Sequence, residues 1–125
     1  MRFDAATALA AALMLAGVIN LLPLIGVLGQ QQLQTLYSLP FDDASLRVLM
    51  RHRAVLFGLL GVALIVSAFV PGWRLPLALL GLASMVGFIV LAYLEGGGNA
   101  AIRRVVRADL IAGLPLAAAL LWGLR

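Results

Sequence analysis

The sequence predicts an all-α integral membrane protein, an up-down four-transmembrane-helix bundle with a short interfacial helix between helices 1 and 2. Three observations predict it. The 125 residues are 64% hydrophobic and only 11% charged, with a mean hydropathy of +1.11; soluble domains run nearer half apolar and about a quarter charged. The apolar residues fall into four long runs, at about 5–28, 43–70, 75–94 and 100–124. The conspicuous charges gather in two clusters: Arg51-His52-Arg53 opens the second run, and Arg103-Arg104 with Arg107 and Asp109 opens the fourth. Such a chain makes one domain, residues 1–125.

Composition also excludes several function classes. The net charge of +4 and a pI near 11.2 come from arginines beside apolar runs. That placement points to anionic lipid headgroups and not to nucleic acid. With no cysteine and a single histidine, disulfides, dithiol chemistry and a protein-built zinc or haem site are not expected. No metal or cofactor is predicted.

Ala5 to Leu28 is apolar apart from Thr7 and Asn20. About twenty residues at about 1.5 Å each cross a bilayer core of about 30 Å, so the run spans it. Arg2 mimics the basic front of a signal peptide, but the run exceeds the usual apolar region of roughly 7–15 residues. It reads as a retained first helix, with a cleaved leader as the alternative. Pro23 removes a donor and should kink the helix, freeing the carbonyl of Ile19. Asn20 at that depth must face neighbouring helices, as structural glue or as a ligand contact.

Gln30 to Leu39 is polar with Leu33, Leu36 and Tyr37 on one face, the pattern of a short interfacial helix. Pro40 breaks it, and Asp42 or Asp43 supplies an N-cap for the second helix. Pro71-Gly72 reads as a tight turn, with Arg74 at the far interface and Pro76 in the first turn of helix three. Gly58, Gly61, Gly81, Ala83 and Gly87 offer small surfaces for close helix contacts. Gly96-Gly97-Gly98 ends helix three, and Asn99 caps helix four. Pro115 should kink that last helix, and Trp122 and Arg125 belong to the opposite interface.

Two crossings separate helices two and four, so both clusters lie on one side of the membrane. Arg51, His52 and Arg53 are therefore expected to meet Arg104, Arg107 or Asp109 across the bundle. Arg103, Arg104 and Arg107 share a helical face through their three- and four-residue spacings. Asp109 lies well away from it, on the face with Val105, Ala112, Gly113 and Leu116. That small-residue face should pack inward, pairing Asp109 with an arginine of helix two. Cations in a helix's first turns oppose its dipole, at a cost of about a few tenths of a kcal/mol each. The arginines of helix four therefore serve something other than local helix stability: snorkelling to lipid phosphate, or an anion pocket of guanidinium forks. His52 is a candidate proton relay or a simple hydrogen-bonding group. The arginine count on the loop side places the loops in the cytoplasm and the termini outside.

The segment Leu36-Tyr37-Ser38-Leu39-Pro40, the run Arg51 to Gly58, and Asn99 through Arg103-Arg104-Val105 to Ala108-Asp109 resemble a group of small bacterial membrane proteins of unknown function. That group is similar in layout to the broad DoxX-like families, and its members often bear the name phosphopantetheine adenylyltransferase. No phosphate loop or strand pattern here suits nucleotidyl transfer. The resemblance implies a multi-pass protein of the bacterial inner membrane, and DoxX-like relatives include partners of quinone-linked oxidoreductases.

The residues support binding of an amphipathic molecule, a lipid or quinone, whose head meets Arg51, His52, Arg53, Arg104, Arg107, Asp109 and Asn20. The alternatives are a small transporter or channel, and an accessory subunit acting as a homo-oligomer or with a partner membrane protein. An enzyme is the less favoured reading, since only Asp109 and His52 offer an acid–base pair.

Overall fold

The computed structural model describes residues 4–123 and contains four helices long and apolar enough to cross a membrane. The chain is a multi-pass membrane protein, and no strand occurs among the described residues. Arg2, Leu124 and Arg125 lie outside them.

The first span begins with α1, Ala5–Leu21. Its N-cap is Asp4, whose carboxylate accepts from the Thr7 N–H at 2.8 Å; that bond holds the Asp4 carboxyl below its usual range. The expected disruption at Pro23 takes the form of a 3-10 segment, Leu22–Leu28. The Ile19 carbonyl, which Pro23 cannot serve, accepts instead from the Leu22 N–H. A tightened turn thus replaces the missing bond.

Gly29, at φ 135°, turns the chain into α2, Gln30–Tyr37, the short helix that does not span. Its apolar face is turned into the protein: Leu33 and Tyr37 are buried with Phe41, against Met50, Ile102 and Val105. Asp43 caps α3, Ala44–Phe69, by accepting from the Ser45 N–H at 3.3 Å. Asn99 caps α5, Ala100–Gly123, accepting from the Ile102 N–H at 2.9 Å. Its amide also donates to the Tyr37 carbonyl at 2.8 Å, tying α2 to the head of α5.

One boundary differs from the sequence expectation. The helix α4 runs Pro71–Leu94, so Pro71 opens it and Pro76 lies inside it. The reason is that proline suits the first helical position, where the N–H would be unpaired anyway. Val70 is extended and makes the turn that Pro71-Gly72 was expected to make. Around Pro115, α5 stays helical throughout.

The helices α1 and α4 each pack on both α3 and α5, so α3 and α5 occupy opposite corners of the bundle. The main core lies towards the terminal end, where Leu13, Ala16, Leu64, Met85, Ala112 and Leu116 are fully or almost fully buried. Here α1 and α3 cross at Gly17 and Gly61: a Cβ on either would stand 2.8 Å from the other's carbonyl oxygen. Gly58 and Gly81 are also close-packed, against Leu24 and Leu64, whereas Gly87 faces open space. Close approach of backbones is how membrane helices gain dispersion energy without a hydrophobic drive between them.

Candidate functional site: a polar cavity on the bundle diagonal

Towards the loop end the packing opens. A cavity of about 370 Å³ lies among α1, α2, α3 and α5, and its polar lining includes Asn20, Tyr37, Arg53, Arg104 and Asp109. The rest of its wall is apolar, from residues such as Ile19, Leu36 and Phe57. Because α3 and α5 are diagonal partners, their side chains face each other across this space.

Arg53 and Asp109 are each the tenth residue of their helices, so they sit at similar depth on antiparallel-neighboured spans that start from the same side. Asp109 is 7% exposed and Asn20 2%. Arg53 and Asp109 line the same cavity, but the expected direct ion pair does not form. The Arg53 guanidinium is engaged elsewhere: Nη1 donates to the Tyr37 hydroxyl at 2.7 Å. The same group lies over three rings, 4.6 Å from the centroid of Phe57, 5.2 Å from Phe88 and 5.6 Å from Tyr37. Cation–π contacts of this kind gain strength away from water. The physical reason for the open pair is geometric: aromatic residues of three elements hold the cation on its own side of the diagonal.

Asn20 donates to the Ala16 carbonyl at 2.7 Å, while its amide oxygen has no partner. A buried acceptor left unpaired costs about 1–3 kcal/mol. This residue therefore contributes both a helix-internal bond and an unanswered acceptor beside the cavity.

The structure does not gather all the residues singled out in the sequence. Arg51 and His52 are exposed and do not line the cavity, because successive helical residues point about 100° apart. Arg104 lines it, but Arg107 turns with Arg103 to a separate groove between α4 and α5. Tyr37, Phe57 and Phe88, which carry no sequence signal that separates them from core residues, build the cage around Arg53. Phe57 follows Arg53 by four residues, a same-face spacing that was visible beforehand.

Most of the arginines have a role that charge counting does not show. Arg51 Nε donates to the Val27 carbonyl at 2.8 Å, at the end of the first span. Arg104 donates to Leu36 at the end of α2 at 3.3 Å, and Arg74 to Ala68 at the end of α3 at 2.7 Å. Arg103 donates to Gly98 at 2.9 Å and Arg47 to Phe41 at 2.7 Å. The last carbonyls of a helix lack intrahelical donors, and a membrane interior supplies few others. Arg53 and Arg107 are the guanidiniums among the described residues that are not committed to a main-chain carbonyl.

Among the described residues, no three His, Cys, Asp or Glu side chains gather in a way that would hold a metal ion. No protein-family model matches the chain, and neither a curated protein nor a solved structure does.

Proposed function

We propose that this protein binds an amphipathic molecule, a lipid or quinone, with its polar head in the diagonal cavity and its apolar part between the helices. The observation that carries this reading is the separated pair: Arg53 and Asp109 face one apolar-walled space without closing on each other. A head able both to accept from a guanidinium and to bond a carboxyl group fills that gap better than either residue alone. Asn20 and Arg104 flank it and add an amide and a second guanidinium. A few placed polar groups in a largely apolar pocket is the ordinary composition of a small-molecule site. Arg51, His52 and Arg107, included in the sequence expectation, take no part in this version of it.

The reading places the protein in a bacterial inner membrane, as the resemblance of its sequence to DoxX-like proteins implies, with its loop end in the cytoplasm by the arginine count. It serves there as a binding component, alone, as a homo-oligomer or beside a partner membrane protein. Native mass spectrometry of gently extracted protein tests it. The wild type and Arg74→Gln are each expected to carry one lipid-like adduct more than Arg53→Gln and Asp109→Asn. Equal retention in all four, or no adduct on the wild type, overturns binding in this cavity. Flux of the adduct's molecule across proteoliposomes would move the reading to transport.

A further inference from the structure

A second concavity lies on the outer side of the bundle, in the crevice between α4 and α5 at the loop end. It has a volume of about 650 Å³, inside the range of about 300–1,000 Å³ common for ligand sites. Its floor is made by apolar and small residues: Ile89 and Ala92 from α4, Ala100 and Val106 from α5. Tyr93, 82% exposed, and the two guanidiniums of Arg103 and Arg107 stand around it. The groove and the diagonal cavity share no lining residue.

We infer that this groove is a binding site for an anionic phospholipid, with an acyl chain along the α4–α5 crevice and the phosphate between Arg103 and Arg107. Four features point to that occupant. The floor is apolar and opens sideways at the surface of membrane-spanning helices, where an acyl chain is the available filler. The small side chains of Ala92, Gly97 and Ala100 leave the depth that a chain needs. Arg103 is held at the rim by its bond to the Gly98 carbonyl, while Arg107, one turn further on, keeps its donors for an incoming group. No carboxylate lines the groove, so the two cations face it unneutralised.

Guanidinium forks match phosphate oxygens in a way that a single ammonium does not. Tyr93, at the same end of α4, brings the amphipathic ring typical of the headgroup level. Two cations in the early turns of α5 oppose the helix dipole, and a bound phosphate offsets that opposition. The occupant is a lipid and not free phosphate, because the greater part of the groove is wall for a chain and offers a soluble anion nothing.

The test uses purified full-length protein, delipidated and returned to mixed micelles with dioleoyl phosphatidylglycerol or dioleoyl phosphatidylcholine, and reads retained lipid by native mass spectrometry. The wild type is expected to prefer the anionic lipid. The Arg103→Gln/Arg107→Gln double variant should lose that preference by about thirtyfold at low salt, from roughly 1 kcal/mol per arginine near an anionic surface. The Lys/Lys double variant should keep part of it, and Arg74→Gln all of it. Ala100→Phe, which fills the groove at an exposed position, should reduce retention with both arginines intact. Equal retention of both lipids by the wild type overturns the inference, as does unchanged retention in Ala100→Phe. Competition by millimolar inorganic phosphate down to the level of the double Gln variant would reassign the site to a soluble anion. Asp109→Asn, which empties the diagonal cavity in the preceding reading, should leave this preference unchanged, so the two sites fail or stand separately.

Discussion

At the level of Gly17 and Gly61, α1 and α3 touch backbone to backbone; about two helical turns nearer the loops, Arg53 and Asp109 face each other across an unfilled diagonal. The two halves are built from the same four helices and differ in what those helices carry. Glycine and alanine close the terminal half, where Ala16, Ala78 and Ala112 are completely buried. In the loop half the large and charged groups, Tyr37, Phe57, Phe88 and Arg53, fill their own corner and leave the middle open. Small residues in this protein determine where helices meet, and a caged cation determines where they do not.

The comparison is broken most severely at the closed half. Gly17→Val places a Cβ 2.6 Å from Ile65 Cγ1 and 2.8 Å from the Gly61 carbonyl oxygen. The side chain can turn aside and the carbonyl cannot, so overpacking is expected to cost about 3 kcal/mol. Unfolding by SDS titration in mixed micelles measures it, and a loss under about 1 kcal/mol would show that the crossing yields. Arg53→Met comes next. It removes the Tyr37 hydroxyl bond and three ring contacts, and is expected to destabilise by about 2 kcal/mol. Combined with Asp109→Asn in a double-mutant cycle, the coupling should be about 1 kcal/mol, as suits charges that share a cavity without contact. A coupling near 3 kcal/mol would mean that the pair closes in the membrane. The smallest effect belongs to Asn99→Ala, which deletes the α5 cap and the tie to Tyr37. A loss of about 1 kcal/mol is expected, with the terminal core unaffected in its amide exchange.

The spans were legible because run length and apolarity are enough to specify a helix that crosses a membrane. Asp43 and Asn99 were legible as caps because a short polar side chain before an apolar run has one dominant local use. The start of α4 was less so: Pro71-Gly72 carries turn chemistry and first-turn helix chemistry at once, and only the extended Val70 decides between them. For the site, spacing on one helix put Asp109 inward. It said nothing of α2, whose Tyr37 takes the bond that Asp109 was expected to receive. Contiguity also misled, since Arg51-His52-Arg53 is continuous in sequence and divergent in space. The assignment of arginines to particular carbonyls depends on which helix ends lie within reach, a tertiary property that no run of residues encodes.

Those carbonyl contacts differ in one further respect, the length of chain they close. Arg51 reaches a carbonyl 24 residues back, whereas Arg104 reaches back 68 and Asn99 reaches back 62. On a chain made from its N-terminus, the first bond is available once the start of the second span has emerged. The other two must wait for the fourth. The first helical pair can therefore lock its turn early and hold Tyr37 through Arg53, whereas the carbonyls at the end of α2 gain their donors only when α5 arrives, so the α2–α5 seam of the diagonal cavity is fastened last.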